Sequence, residues 1–222
     1  MATAIARQRR SASTELDIYR VFAASLGHPS RERFAWFSGR VFRELFKRLN
    51  SRLRRQRKPI PLGRFSDYRT YEAAYISLFE VGVPGPPVPL LESVYSKSSA
   101  AQEIVLDCVN FYDVLGLRPS GTAFPADHIV TQLEFLSAAR FLRENAVSPE
   151  NQASLCLLER DFIERHLLTW LSSAQEKLER LNPPVFPALL GLLAHALKNE
   201  LGLLAKLSAA QEHAKSRRME SP

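Results

Sequence analysis

Asp127 and His128 stand side by side in Pro125-Ala-Asp-His128, immediately ahead of an apolar helical pattern, and an acid next to an imidazole is a pair able to move protons. Glu92, in Pro89-Leu-Leu-Glu-Ser-Val-Tyr95, is a carboxylate among apolar neighbours. Such a group needs a partner: an internal arginine or amide, or a basic group carried by a bound peptide. His166 and Trp170 are four residues apart, so on a helix they share a face, and packing with one hydrogen-bonded ring nitrogen is the ordinary use of that arrangement. Each group also has a plain structural reading. Asp127 suits an N-cap, His128 a satisfied structural histidine, and Glu134, between Leu133 and Phe135, either a surface acid or the internal partner of an arginine. No serine or cysteine nucleophile stands in a recognisable motif near the Asp-His pair, and adjacency in sequence does not supply triad geometry. A small helical hydrolase or nucleotide-binding enzyme would rest on that pair alone.

Cofactor chemistry has little support. There is no glycine-rich phosphate loop, and the five histidines, at 28, 128, 166, 195 and 213, show no ligand spacing. The two cysteines, Cys108 and Cys156, each lie in an apolar helical pattern, without a neighbouring thiol or a metal-ligand histidine spacing. Both read as small buried hydrophobes suited to a reducing compartment. The reading is a protein without a catalytic site, a metal site or a tightly bound cofactor.

The formal charge of +7 raises a nucleic-acid reading, but much of the excess lies at the chain ends and in Arg52-Leu-Arg-Arg-Gln-Arg-Lys58. Without a recognition-helix motif these runs read as solvated faces and tails, and a basic helical nucleic-acid-binding protein is the alternative function. Arg9-Arg10-Ser11 looks like the start of an export signal, yet Ala-Ser-Thr-Glu-Leu-Asp follows it in place of an apolar stretch. No uninterrupted apolar segment suggests a membrane span. The expectation is a soluble protein that stays in the cytoplasm.

The elements that position these residues are helical. A 222-residue chain with 45% hydrophobic content has enough apolar material for one substantial core. A first helix is predicted from near Glu15, bringing Leu16, Ile18, Tyr19 and Phe22 to the core. Ser30 caps a second, with Phe34, Phe37, Val41, Leu45 and Leu49 at helical spacing. A third, from about Asp67 to Val81, gathers Tyr71, Ala74, Tyr75, Leu78 and Phe79 on one face and stops at Gly82. A fourth runs from about Ser99 to Leu115 and closes at Gly116. Asp127 caps a fifth, which carries Ile129, Leu133, Leu136 and Leu142. Ser148-Pro149-Glu150 opens a sixth that bends near Trp170 and breaks at Asn182-Pro183-Pro184, and a leucine-rich helix follows. With no strand alternation, the chain reads as a single compact all-α domain of six or seven helices over 15–209, with flexible tails at 1–14 and 210–222.

Two islands interrupt this pattern. Gly82–Lys97 holds four prolines and two glycines together with Val88, Leu90, Leu91, Val94 and Tyr95. It can neither continue a helix nor pair centrally in a sheet, and its apolar content argues for an ordered loop pinned to the body. Prolines stiffen such a loop before it receives a ligand. Pro125–Phe135 is the second island.

The order Tyr75-Ile-Ser-Leu-Phe79, the proline-rich loop with Glu92-Ser-Val-Tyr95, Pro125-Ala-Asp-His128 with Leu133-Glu-Phe-Leu136, then His166-Leu-Leu-Thr-Trp170 resembles the TorD-type chaperones that mature molybdenum-containing redox enzymes. Within that family the chain is most similar to chaperones dedicated to the dimethyl sulfide, selenate, chlorate and ethylbenzene group of enzymes. The resemblance implies an all-helical cytoplasmic chaperone, monomeric or homodimeric, that binds the apo catalytic subunit of a molybdoenzyme and its twin-arginine signal peptide. It would hold the client until the molybdenum cofactor, which belongs to the client, is inserted, and so prevent premature export. It further implies that Tyr75, Leu78, Phe79, Leu91, Glu92, Ser93, Tyr95, Asp127 and His128 form the guest-binding surface, supported by Pro89, Glu134, His166 and Trp170. Tyr75, Leu91 and Tyr95 stand where many relatives carry tryptophan, and Phe124-Pro125-Ala126 replaces a more acidic form, which makes the implied groove less acidic.

Overall fold

A computed structural model describes residues 17–53, 64–96, 100–118 and 124–219, without the side chains of 52–53 and 211–219. The expected N-terminal tail over 1–14, most of the basic run ending at Lys58, and Lys97 at the end of the first island fall outside the described residues. Within them are nine α-helical segments: α1 (Ile18–Leu26), α2 (Arg31–Ser38), α3 (Arg40–Leu53), α4 (Tyr68–Phe79), α5 (Ala101–Val114), α6 (Ile129–Glu144), α7 (Pro149–Phe162), α8 (Leu168–Leu181) and α9 (Phe186–Met219). A short 3₁₀ turn (Glu92–Tyr95) lies between α4 and α5, and a π-helical segment (Ile163–Leu167) joins α7 to α8. The fold is all-α, as the periodicity predicts.

Local chemistry explains most of the boundaries. Asp17 accepts from the Tyr19 and Arg20 amides to open α1, Ser30 accepts from Arg33 to open α2, Asp67 accepts from Thr70 to open α4, and Ser148 accepts from Asn151 with Pro149 in the first turn of α7. Gly116 ends α5 at φ 65°, and Asn182 ends α8 at φ 48°, both left-handed positions that favour these residue types.

Three expectations need correction. The second predicted helix is two, split at Gly39, whose amide turns back to the Trp36 carbonyl. The break rotates the following helix, so Phe42, Phe46 and Leu49 enter the core while Val41 is 73% exposed. The bend placed near Trp170 is the π segment just before it. The last helix continues to Met219 and does not stop near 209, because Ala210–Met219 contains good helix formers and neither glycine nor proline.

Packing sets α6 against both α1 and α7, with α9 in contact with α1, α3, α7 and α8. Phe186, at the start of α9, anchors an aromatic cluster with Phe65, Tyr71, Tyr75 and Phe79, at ring separations of 4.9–6.3 Å. Contrary to the sequence expectation, Phe186–Ala210 is long and apolar enough by composition to cross a membrane; half of the 18-residue stretch that qualifies it is buried inside the protein, as in a core helix.

Candidate functional site

The two islands meet. The loop leaves α4, and the Val88 amide donates back to the Leu78 carbonyl (2.9 Å), burying Val88, Pro89 and Leu90 against the helix it has just left. It then runs antiparallel to the second island: Ile129 N–H donates to the Leu90 carbonyl (3.0 Å) and Glu92 N–H to the Asp127 carbonyl (3.1 Å), bridging Leu91 and His128. Gly82 permits the entry into the loop, because a Cβ there would lie 2.3 Å from the Gly85 carbonyl oxygen.

Asp127 and His128 exchange the roles read from sequence. The Asp127 carboxylate does not cap α6; it accepts from the Ser93 amide (3.1 Å) and so caps the 3₁₀ turn across the island contact. His128 caps α6 instead, its Nδ1 accepting from the Val130 amide (3.2 Å) while its ring stacks on Phe124 at 4.0 Å. Burial pushes the His128 imidazole down to about 4, against the opposing pull of Asp127, so it is neutral at ordinary pH.

Beneath the bridge lies a buried polar hub. Glu92, 4% exposed, accepts from the Gln132 side-chain amide (2.5 Å) and faces His166 Nδ1 at 3.1–3.2 Å. Cys108 Sγ lies 3.5 Å from the same nitrogen and 4.0 Å from Glu92 Oε2. The other imidazole nitrogen, Nε2, is 3.2 Å from Asp107 Oδ2, without the alignment of a full hydrogen bond, and Asp107 also takes Arg165 at 2.6 Å. Burial, reinforced by the Glu92 charge, raises the Cys108 thiol to about 12. Tyr112 adds a hydrogen bond from its hydroxyl to the Ala126 carbonyl (2.6 Å), which ties α5 to the second island.

An aromatic layer closes the other side of the turn. Tyr95 stacks on Trp170 at 5.2 Å, with the Lys177 ammonium 4.7 Å from the Tyr95 ring centre. His166 and Trp170 thus both serve the 3₁₀ turn, one holding Glu92 and the other Tyr95.

The fold brings the sequence-derived residues together but turns most of them inward. Tyr75, Leu78, Phe79, Glu92, Asp127 and His128 are at most 8% exposed, and the Tyr75 hydroxyl is committed to the Leu26 carbonyl (2.8 Å). Direct contact with a guest, as expected for them, would require opening the core. Asp127 in particular spends its carboxylate on Ser93 and is not free to meet a guanidinium group. The outward groups are Leu91 and Ser93, half-buried, and Val94, 50% exposed; Tyr95 is half-buried as well, but its ring lies on Trp170 and its hydroxyl is buried. Glu134 is a surface acid. Sequence reasoning missed Gln132, Cys108 and Asp107. Only Gln132 left a trace, as a polar residue next to the apolar stripe of α6.

A family model described as the nitrate reductase delta subunit matches residues 43–175. Three curated proteins are similar. The perchlorate reductase assembly chaperone protein of Dechloromonas aromatica (strain RCB) is 28% identical over 167 residues, 69% of this chain and 73% of that one. The selenate reductase assembly chaperone protein of Thauera selenatis is 30% identical over 140 residues, 61% and 72% of the two chains. The chlorate reductase assembly chaperone protein of Ideonella dechloratans is 32% identical over 114 residues, 50% and 58% of the two. Among solved structures, one described as a "putative redox enzyme maturation protein" from Archaeoglobus fulgidus has a TM-score of 0.42 and 19% identity, covering 77% of this chain and 99% of that one. The family match spans more than half of the chain and every residue of the bridged islands and the hub beneath them, so the chain belongs to the nitrate reductase delta subunit family.

Proposed function

We propose that this protein is a cytoplasmic assembly chaperone for the catalytic subunit of a molybdenum-containing reductase of the perchlorate, selenate or chlorate type. It would hold the apo subunit until the cofactor is inserted and so delay export. The observation that carries this reading is the joined pair of islands: a stiff, proline-rich loop fastened to the core by three backbone hydrogen bonds and a buried carboxylate, presenting Leu91, Ser93 and Val94 outward. A preformed apolar edge of this kind binds with little loss of loop entropy and needs no chemistry. The buried residues Tyr75, Leu78, Phe79, Glu92, Asp127 and His128, with Pro89, His166 and Trp170, then act by holding that edge in shape. Capture of a twin-arginine leader is a narrower reading, for which Glu134 is the exposed acid of the set.

Co-expression with apo catalytic subunits of perchlorate, selenate and chlorate reductases tests the proposal. The expected result is a stable complex with at least one of them, weakened tenfold or more by Val94→Asp or Leu91→Asp at unchanged helicity. Absence of any complex would refute the chaperone reading. A complex indifferent to both substitutions would move the binding surface elsewhere. A titration with the isolated leader peptide separates leader capture from binding of the mature subunit.

A further inference from the structure

We infer that Glu92, Cys108 and His166 form a binding site for one divalent transition-metal ion of the Zn²⁺ type, which clasps the proline-rich loop to the helical body. One potential ligand atom from each of the three residues lies within 4.8 Å of the others, and all three residues are buried. They come from three elements: the 3₁₀ turn, α5 and the π segment. Tetrahedral zinc with bonds of about 2.0–2.3 Å to oxygen, nitrogen and sulfur sets its ligand atoms roughly 3.2–3.6 Å apart. Here the thiol and imidazole are 3.5 Å apart and the imidazole and carboxylate 3.1 Å, while the thiol and carboxylate, at 4.0 Å, need only a small approach. The mixed sulfur, nitrogen and oxygen set suits a borderline ion and not Mg²⁺ or Ca²⁺.

Three further features point the same way. Ligation through His166 Nδ1 leaves Nε2 facing Asp107 Oδ2 at 3.2 Å, where a turn of the ring into alignment would complete the carboxylate–histidine hydrogen bond that orients a metal-bound imidazole. The Gln132 side chain lies against the same atoms, 2.5 Å from Glu92 Oε2 and 3.7 Å from Cys108 Sγ, and its Oε1 is buried without a partner. Turned over, that amide supplies the fourth ligand. The π segment is the third feature: such irregular turns are frequent at functional sites, and this one carries His166. On binding, Cys108 releases its proton to solvent and coordinates as thiolate, the form that burial and Glu92 disfavour until a cation is present. The ion also explains a buried carboxylate whose partners among the described residues include neither arginine nor lysine.

The test is a Co²⁺ and Zn²⁺ titration of the chelator-treated full-length protein. One equivalent of Co²⁺ should give tetrahedral ligand-field bands with a thiolate-to-cobalt charge-transfer band. Cys108→Ser should abolish that band and weaken binding at least tenfold, and Cys156→Ser should change neither. Should Cys108→Ser fail to fold, X-ray absorption on the zinc-loaded wild-type protein decides the matter, with one sulfur expected at about 2.3 Å. The proposal is overturned by an octahedral cobalt spectrum, by a charge-transfer band that survives Cys108→Ser, or by a zinc shell without sulfur.

Discussion

Glu159 and Glu92 are both buried carboxylates, and the two regions that hold them solve the same problem differently. Glu159, on α7, is wholly buried and meets a fixed cation, the Arg143 guanidinium of α6, at 2.6 and 3.5 Å. Helix-to-helix packing there supplies a formal opposite charge, and a neighbouring Arg140 bridges to Glu144 (2.7 Å) and Glu200 (3.6 Å). Glu92 sits on irregular backbone and is met by an amide, an imidazole and a thiol, drawn from three separate elements. The helical region closes its charge account with side chains already paired, whereas the island region uses adjustable groups that other protonation states or a cation can rearrange. A scaffold needs the first arrangement and a loop that presents a binding edge can use the second.

The contrast is broken most strongly at Arg143. Arg143→Met, assayed by urea unfolding at pH 8, should cost about 3–5 kcal/mol, because it leaves a buried carboxylate without its cation. A cost below about 1 kcal/mol would mean that Glu159 is not held by that pair. Next comes pH, where the regions should respond with opposite sign. Burial raises the Glu159 carboxyl from 4.5 to about 7, more than Arg143 lowers it, so the folded state keeps a proton that the unfolded chain releases. Its stabilising contribution is present below pH 4.5 and is lost as pH rises toward 7. His128 is depressed from 6.5 to about 4, so the unfolded chain takes up a proton that the folded state refuses. Its contribution is present above pH 6.5 and is lost as pH falls toward 4. Each amounts to roughly 3 kcal/mol across its window. Unfolding curves of Glu159→Gln and His128→Asn across pH 4–8 should each lack one of these components, and slopes of the same sign would erase the contrast.

Smaller effects sharpen the picture of the loop. Glu92→Leu strands the Gln132 amide and one imidazole nitrogen, at a cost of about 2 kcal/mol. It should accelerate limited proteolysis inside Gly82–Ser96 beyond the global loss of stability, whereas Arg143→Met should alter cleavage only through global unfolding. Gly82→Ala forces a Cβ against the Gly85 carbonyl and should cost about 1 kcal/mol, moderated because this part of the loop is exposed and can shift. Glu134→Ala, on the exposed face of α6, should stay within about 0.5 kcal/mol of wild type in thermal unfolding.

Much of the helical region was legible in the amino-acid order. The caps at Ser30 and Ser148 and the buried face Tyr71, Tyr75, Leu78 and Phe79 follow from short-range chemistry, since a cap needs only three or four residues and a helix face only its periodicity. The split at Gly39 was not, because Val41 and Phe42 are equally apolar and only the turn between α2 and α3 selects which of them faces inward. Asp127 shows the same limit more sharply. Its sequence position offers the amides of α6, and the Ser93 amide, 34 residues away in the chain, takes the carboxylate instead.

The sequence by itself determined that the chain is helical, that two proline-bearing islands interrupt it, and that Glu92 needs a partner, because propensity, periodicity and the cost of burying a charge are local quantities. Tertiary structure decided which groups meet. Cys108 and His166 are 58 residues apart and neither carries a local ligand spacing, yet the turn of the π segment and the bridge between Leu91 and His128 bring both onto Glu92. It also decided which residues face outward: closing the islands over the core buries Tyr75, Asp127 and His128, lays Tyr95 on Trp170 and leaves Leu91, Ser93 and Val94 at the surface, a partition set by packing in three dimensions and invisible to any one-dimensional pattern.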